Sequence, residues 1–116
     1  MKDLLEKLNI DQLSEMQEEM VEKTKGNPNS DLLLLSPTGS GKTLAYLISA
    51  MRHVDYSDPS IQVLVVTPSR ELALQSNDLL LRMKSPLRSQ CLIGGHATSE
   101  DLRIYKQLQP QIIFAT

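Results

Sequence analysis

The stretch "LLLLSPTGSGKTLAYL", residues 32–47, runs four leucines into a loop of small residues and then into a helical pattern. A continuous apolar run of this kind reads as a buried strand, here Asp31–Ser36. After it, Leu44, Ile48 and Met51 fall at i, i+4 and i+7 of a helix. Between the two, Gly39, Ser40 and Gly41 let backbone N–H groups turn inward around an anion, because glycine has no side chain to obstruct the approach. The helix starting at Lys42 adds unpaired N–H groups and the positive end of its dipole. Lys42 reaches the β- and γ-phosphates as a point charge, and the Thr43 hydroxyl is a ligand for Mg²⁺. These two are therefore the candidate catalytic groups.

Gly-x-Gly-Lys-Ser/Thr arises by chance in well under about one chain in a hundred of this size, taking glycine at about 7%. Where the strict pattern opens on glycine or alanine, this chain has Ser36, which is also small. Ser36, Pro37, Thr38, Gly39 and Ser40, continued by Gly41, Lys42, Thr43 and Leu44, thus form a loop that binds a nucleoside triphosphate.

Working outward, four short apolar runs recur along the 116 residues: Asp31–Ser36, Ile61–Thr67, Gln90–Ile93 and Gln111–Thr116. Val63-Leu64-Val65-Val66 and Ile112-Ile113-Phe114 are continuous, as strands covered on both faces are. Helical patterns separate them. Leu72, Leu79 and Met83 supply one apolar face, and Leu102 to Leu108 forms a shorter helix with Thr98 or Ser99 as N-cap. Strand and helix in alternation predict an α/β fold with a parallel sheet and helices on its faces. An acidic helical region, Met1 to about Lys25, precedes it.

Composition sets the outer limits. With 41% hydrophobic and 22% charged residues the chain is an ordinary globular one, and its apolar runs are too short for a membrane span. Cys91 is the only cysteine, so no internal disulfide forms, which fits a reducing cytoplasm. The net charge of −2 hides an asymmetry: residues 1–31 carry four basic and eight acidic side chains, residues 42–116 eight and six. The basic surplus gathers around Arg70, Arg82, Lys84 and Arg88, a cluster that a solvated helix face explains without any nucleic-acid partner.

The second strand ends in Thr67-Pro68-Ser69-Arg70-Glu71-Leu72-Ala73. Together with Ser36–Thr43 this resembles the DEAD-box ATP-dependent RNA helicases, whose motif Ia reads Pro-Thr-Arg-Glu-Leu-Ala. Ser69 stands for the threonine and keeps its hydroxyl. The resemblance continues through Gly94-Gly95 and ends with Phe114-Ala115-Thr116, where the family continues Pro-Gly-Arg. It implies the P-loop NTPase, RecA-like three-layer fold, incomplete at the C-terminus: a Q-motif region at 1–30 and part of the ATP-binding domain at 31–116. ATP and Mg²⁺ are the implied cofactors. Pro68, Ser69 and Arg70, Gly94 and Gly95, and Thr116 would lie along an RNA sugar–phosphate backbone, contacts blind to base sequence.

Some residues keep two readings. Gln17, in Leu13-Ser14-Glu15-Met16-Gln17, matches the family's Q motif 25 residues before Lys42, where its amide would pair with adenine. Ser14-x-x-Gln17 is also a capping box that needs no ligand. The aromatic that stacks on adenine in the family would fall before Met1. Arg70 either meets RNA or pairs with Glu71 or Asp78 in its own helix. His53, His96, Cys91 and Tyr46 read as structural.

The family's Asp-Glu-Ala-Asp and Ser-Ala-Thr motifs, and the arginines of its second RecA-like domain, lie outside Met1–Thr116. Glu100-Asp101 opens a helix rather than ending a strand. The expectation is a nucleotide- and RNA-binding piece of a helicase that is inactive by itself. A non-catalytic P-loop binding module is the alternative.

Overall fold

The computed structural model describes residues 13–26, 33, 41–95 and 97–116. The expected strand at Asp31–Ser36 apart from Leu33, the phosphate loop from Ser36 to Ser40, the start of the N-terminal helical region and His96 lie outside the described residues. Leu33 itself is 82% exposed and in no strand, against the expected burial. The chain divides into two compact units, Met1–His53 and Val54–Thr116.

In the first unit, helix α1 (Glu15–Gly26) packs on helix α2 (Lys42–Met51). A reciprocal capping box starts α1. The Gln17 N–H donates to Ser14 Oγ at 3.3 Å, and the Ser14 N–H donates to Gln17 Oε1 at 2.8 Å. Glu15 and Glu18 in the first turn complement the helix dipole. The burial of α2 is wider than a single stripe: Leu44, Ala45, Leu47, Ile48 and Ser49 are all buried, whereas Met51 is only half-buried. Ser49 joins this apolar face by donating to the Ala45 carbonyl one turn back, at 2.9 Å.

The second unit is a parallel sheet of three strands, β1 (Val63–Val66), β2 (Ser89–Leu92) and β3 (Ile112–Ala115), in spatial order β1-β3-β2. Val63 and Ser89 both pair with Ile112, so the strands run level and their carboxyl ends emerge together. Helix α3 (Arg70–Arg82) links β1 to β2, and α4 (Thr98–Leu108) links β2 to β3. Side chains alternate across a strand. Ser89 and Cys91 meet α3, through Ser89 Oγ to Asn77 Oδ1 at 2.6 Å and Cys91 Sγ to the Ala73 carbonyl at 3.8 Å. Gln90, on the other face, donates to the Asp101 carbonyl of α4 at 2.9 Å.

Central β3 fulfils its apolar pattern, with Ile112 and Phe114 at 0% exposure and Ile113 at 3%. Strand β1 does not. Leu64 and Val66 are 63% and 68% exposed, so its continuous run is covered on one face only. Of the expected face of α3, Met83 is buried just past the helix end, but Leu72 is exposed and Leu79 half-buried, and Ala73, Ser76 and Leu80 take their place. The close approach of Cys91 to Ala73 requires a small residue at the crossing, while Leu72 faces outward at 43% exposure. Helix α4 starts one residue earlier than its hydroxyls suggest. Ala97 is the N-cap, and its carbonyl accepts the N–H groups of Glu100 and Asp101, each at 3.1 Å.

The basic cluster also separates. Arg70 and Arg82 stand at opposite ends of the 13-residue α3, about 18 Å apart at 1.5 Å per residue. Arg88 donates from Nε to the Gln109 carbonyl at 2.9 Å.

Candidate functional sites at a helix start and a sheet end

Gly41 is the N-cap of α2, with φ 87° and ψ 25° and no capping side chain. Its carbonyl accepts the first helical bond from Ala45 N at 3.2 Å and a second from Gln17 Nε2 at 3.1 Å. A Cβ at this glycine would lie 2.3 Å from that same Nε2. The backbone sign and the approach of Gln17 therefore both require glycine.

Gln17 is 7% exposed and serves the capping box and Gly41 together. An amide has two donors and two lone pairs, so one N–H and one lone pair remain for another partner. Lys42 and Thr43 are the first two residues of α2 and are half-buried, and Leu44 is buried. Thr43 differs from Thr24, whose hydroxyl bonds the Met20 carbonyl four residues back at 3.0 Å. At the second position of a helix no helical carbonyl lies four residues back, so the Thr43 oxygen has no intrahelical acceptor. A hydroxyl oxygen is a hard donor of the kind Mg²⁺ takes.

In the second unit the turn after β1 is fixed from within. Thr67 N donates to the Ala115 carbonyl at 2.8 Å, and Thr67 Oγ1 donates to the Ser69 carbonyl at 3.0 Å. Sequence reasoning passed over Thr67; a hydroxyl residue just before a proline at a strand end was the available signal. Ser69 caps α3, its Oγ accepting from Leu72 N at 3.2 Å. The Ser69 proton is left to donate outward. Arg70 follows as the first residue of the helix and is exposed. Among the described residues it forms no ion pair, so the expected alternative, a bond to Glu71 or Asp78, is not realised.

Beside this turn the chain leaves β2 through Ile93 into Gly94 and Gly95. Gly95 has φ 96°, and a Cβ there would lie 3.1 Å from Arg70 Nη2. A Cβ at Gly94 would meet nothing within 4 Å. Thr116 N donates to the Leu92 carbonyl at 3.4 Å, which brings the end of β3 alongside. Pro68, Ser69, Arg70, Gly94, Gly95 and Thr116, spread over nearly 50 residues of sequence, share one end of one sheet. Two N–H-bearing turns, a hydroxyl donor and a guanidinium side by side make a surface for an extended polyanion.

The remaining candidates are structural. Burial pushes the Cys91 thiol up, away from a reactive thiolate. Hydrogen bonding from Arg103 holds the Glu100 carboxylate below its ordinary range on the surface of α4. The His53 backbone N–H donates to the Ala50 carbonyl at 3.1 Å just past α2. Among the described residues no group of three or more His, Cys, Asp or Glu could hold a metal, and no helix is long and apolar enough to cross a membrane.

The sequence model of the DEAD/DEAH box helicase family matches residues 14–116. The mitochondrial ATP-dependent RNA helicase MSS116 of Candida glabrata is 29% identical over 98% of this chain and 19% of its own length. The ATP-dependent RNA helicase me31b of Drosophila melanogaster is 37% identical over 74% of this chain and 19% of its own. Among solved structures, S. cerevisiae Dbp5 bound to RNA and ADP BeF3 superposes with a TM-score of 0.83 at 26% identity, over 100% of this chain and 30% of that one. A DEAD box protein from Methanococcus jannaschii gives 0.75 at 27% identity, over 87% of this chain and 27% of that one. The chain thus spans about a fifth of these curated relatives and about three-tenths of these solved chains.

Proposed function

The chain belongs to the DEAD/DEAH box helicase family and carries part of its RecA-like α/β fold, and on that premise we propose that it is the ATP-binding and RNA-backbone-binding part of an ATP-dependent RNA helicase. The observation that carries the reading is the assembly of Pro68–Arg70, Gly94–Gly95 and Thr116 at one sheet end. Relatives named as RNA helicases, and a structural neighbour bound to RNA and ADP BeF3, support it.

On this reading the loop Ser36–Gly41 and the first turn of α2 hold the triphosphate, and Lys42 meets its terminal phosphates. The Thr43 hydroxyl would hold Mg²⁺, which when bound offsets charge on the phosphate oxygens. The remaining N–H and lone pair of Gln17 are those an adenine edge would engage, while its other bonds tie the base site to Gly41. The Ser69 hydroxyl and Arg70 would donate to RNA phosphates, and the open space at Gly94 would admit the backbone. The division by motif, a Q-motif region at 1–30 and a partial RecA-like domain at 31–116, belongs to the same proposal. So do a second RecA-like domain in the full-length protein and a cytoplasmic location.

On the same proposal these 116 residues by themselves bind ATP and RNA without hydrolysing. The three described strands are followed by Thr67, Ile93 and Thr116, none an acid that could orient an attacking water.

RNA binding is tested by anisotropy of this chain with single-stranded oligomers of different sequence across a salt series. The expected result is the same affinity for each sequence and a steep loss with salt. Affinity that tracks base sequence, or that ignores salt, would sink the reading.

A further inference from the structure

We propose that Gly95 is a positioning residue for Arg70: by lacking a side chain it seats the guanidinium over its own α-carbon and aims it outward with its charge uncompensated. The proposal rests on the RNA-backbone reading for its consequence, though not for its geometry.

The two glycines of the turn are not equivalent. At Gly94 a Cβ would meet nothing within 4 Å, so the fold makes no demand there. At Gly95 a Cβ would press on the end of Arg70, too tightly on Nη2 at 3.1 Å and in ordinary contact with Cζ at 3.6 Å and Nη1 at 3.8 Å. Three guanidinium atoms within 4 Å of one point mean that the planar group rests against this glycine, and a Cβ would push it away by a few tenths of an ångström. Its root is fixed as well, because Arg70 is the first residue of a helix whose cap, Ser69, is bonded to Leu72 and to Thr67.

Most arginines held in place on a protein surface are held by a carboxylate, as Arg103 is by Glu100. That fixes the geometry but spends donors and charge on the partner. Among the described residues Arg70 has no such partner. A seat made by an absent side chain restricts the guanidinium while leaving its five N–H donors for a phosphate. Less freedom is then lost on binding. The arrangement also couples two segments 25 residues apart in sequence, so that the turn after β2 governs a side chain rooted after β1.

The test uses this chain with Gly95→Ala and Gly95→Asn, each with Arg70 intact and with Arg70→Ala. Asparagine tolerates positive φ better than alanine, yet puts the same Cβ against the guanidinium, which separates backbone strain from displacement. The first readout needs no RNA: rotation about the Arg70 Nε–Cζ bond, followed by ¹⁵N NMR, with exposed Arg52 as reference. Slower rotation at Arg70 than at Arg52, released by both substitutions, supports the seat. Equal rotation in the unsubstituted chain overturns it. The second readout is single-stranded RNA affinity across salt. Gly95→Asn should lower affinity several-fold and reduce the salt slope by about one phosphate contact. It should do neither in the Arg70→Ala background. An equal loss in both backgrounds overturns the proposal, because Gly95 would then act without Arg70. Slow rotation released by both substitutions, with RNA affinity indifferent even to Arg70→Ala, upholds the seat and rejects the RNA reading of Arg70 instead.

Discussion

Gly41 and Gly95 sit in different compact units, and both are held at positive φ, 87° and 96°. Each faces a side chain that a recognisable motif supplies. At Gly41 the neighbour is the Gln17 side-chain amide, 7% exposed and committed to two hydrogen bonds, one from Ser14 N and one to Gly41. At Gly95 it is Arg70, exposed and unpaired among the described residues. The same conformational device therefore serves different ends. Where the neighbour is buried and bonded it cannot move aside, and the glycine is a condition of folding. Where the neighbour ends in solvent it can swing away, and the glycine governs placement more than stability.

The sharpest way to break this comparison is to add one methyl group to each glycine. For Gly41→Ala the left-handed backbone costs about 1–2 kcal/mol. The clash at 2.3 Å also drives the Gln17 amide from the Gly41 carbonyl, leaving a buried donor unsatisfied, at a further cost of about 1–3 kcal/mol. Gly95→Ala should show the backbone cost alone, about 1–2 kcal/mol, because Arg70 yields. Denaturant unfolding of the two variants decides the matter. Equal losses would mean that burial of the neighbour makes no difference.

Lys42→Ala comes next and acts on binding rather than folding. It should weaken triphosphate binding by about 1.5–3 kcal/mol, the worth of a charge-assisted contact, and leave adenosine binding nearly unchanged. Calorimetric titration with both ligands makes the check. Equal weakening would show that Lys42 supports the first unit structurally.

Gln17→Glu sharpens the comparison from the other side. A capping box alone accepts glutamate, since the Ser14 N–H still finds an acceptor. The bond to Gly41 does not, because a carboxylate would face that carbonyl with no proton to give. Stability should fall by about 1–2 kcal/mol, the lower part of the range for a lost buried hydrogen bond, with a lower ATP-to-GTP affinity ratio if the amide also reads adenine. An unchanged melting temperature would show that the bond to Gly41 is unimportant.

How much of this was legible in the sequence depended on whether a feature is local. The alternation of elements, the parallel sheet and the continuous burial of Ile112-Ile113-Phe114 follow from short apolar runs, and the structure bears them out. Val63–Val66 carries the same kind of run, yet exposes Leu64 and Val66. An apolar run says what a strand could bury, and only the elements packed on it decide what it does bury. The face of α3 follows its apolar pattern only at Met83, because the crossing with β2 brings Cys91 Sγ onto the Ala73 carbonyl and a small residue is needed there. Ser14 and Gln17 are readable as a cap because four consecutive residues suffice. Neither the bond from Gln17 to Gly41 nor the seat of Arg70 on Gly95 could be read, since both depend on a positive φ and on segments brought together by folding.

The smallest expected difference between the regions is their response to acid. The Gln17 bonds involve no titrating group, whereas the second unit carries carboxylates tied into its turns. Asp55 accepts from the hydroxyl and N–H of Ser57, and Asp58 accepts from the N–H of Ser60. These bonds favour the charged forms and hold both carboxyls below their ordinary range. A folded-state pKa below the unfolded one gives stability that is fully present above the unfolded value and lost as pH falls through the folded one. The window therefore opens at the ordinary carboxylate pKa and extends downward. Both groups are fully exposed, so the effect on global unfolding should be slight. Amide shifts report it directly. Those of Ser57 and Ser60 should titrate below the ordinary aspartate range, while the side-chain amide of Gln17 stays constant through the same window. Titration of Ser57 and Ser60 at or above that range would mean that the turn from Asp55 to Ser60 is not held by its carboxylates. A shift at Gln17 in step with them would mean that the two units do not respond to acid independently.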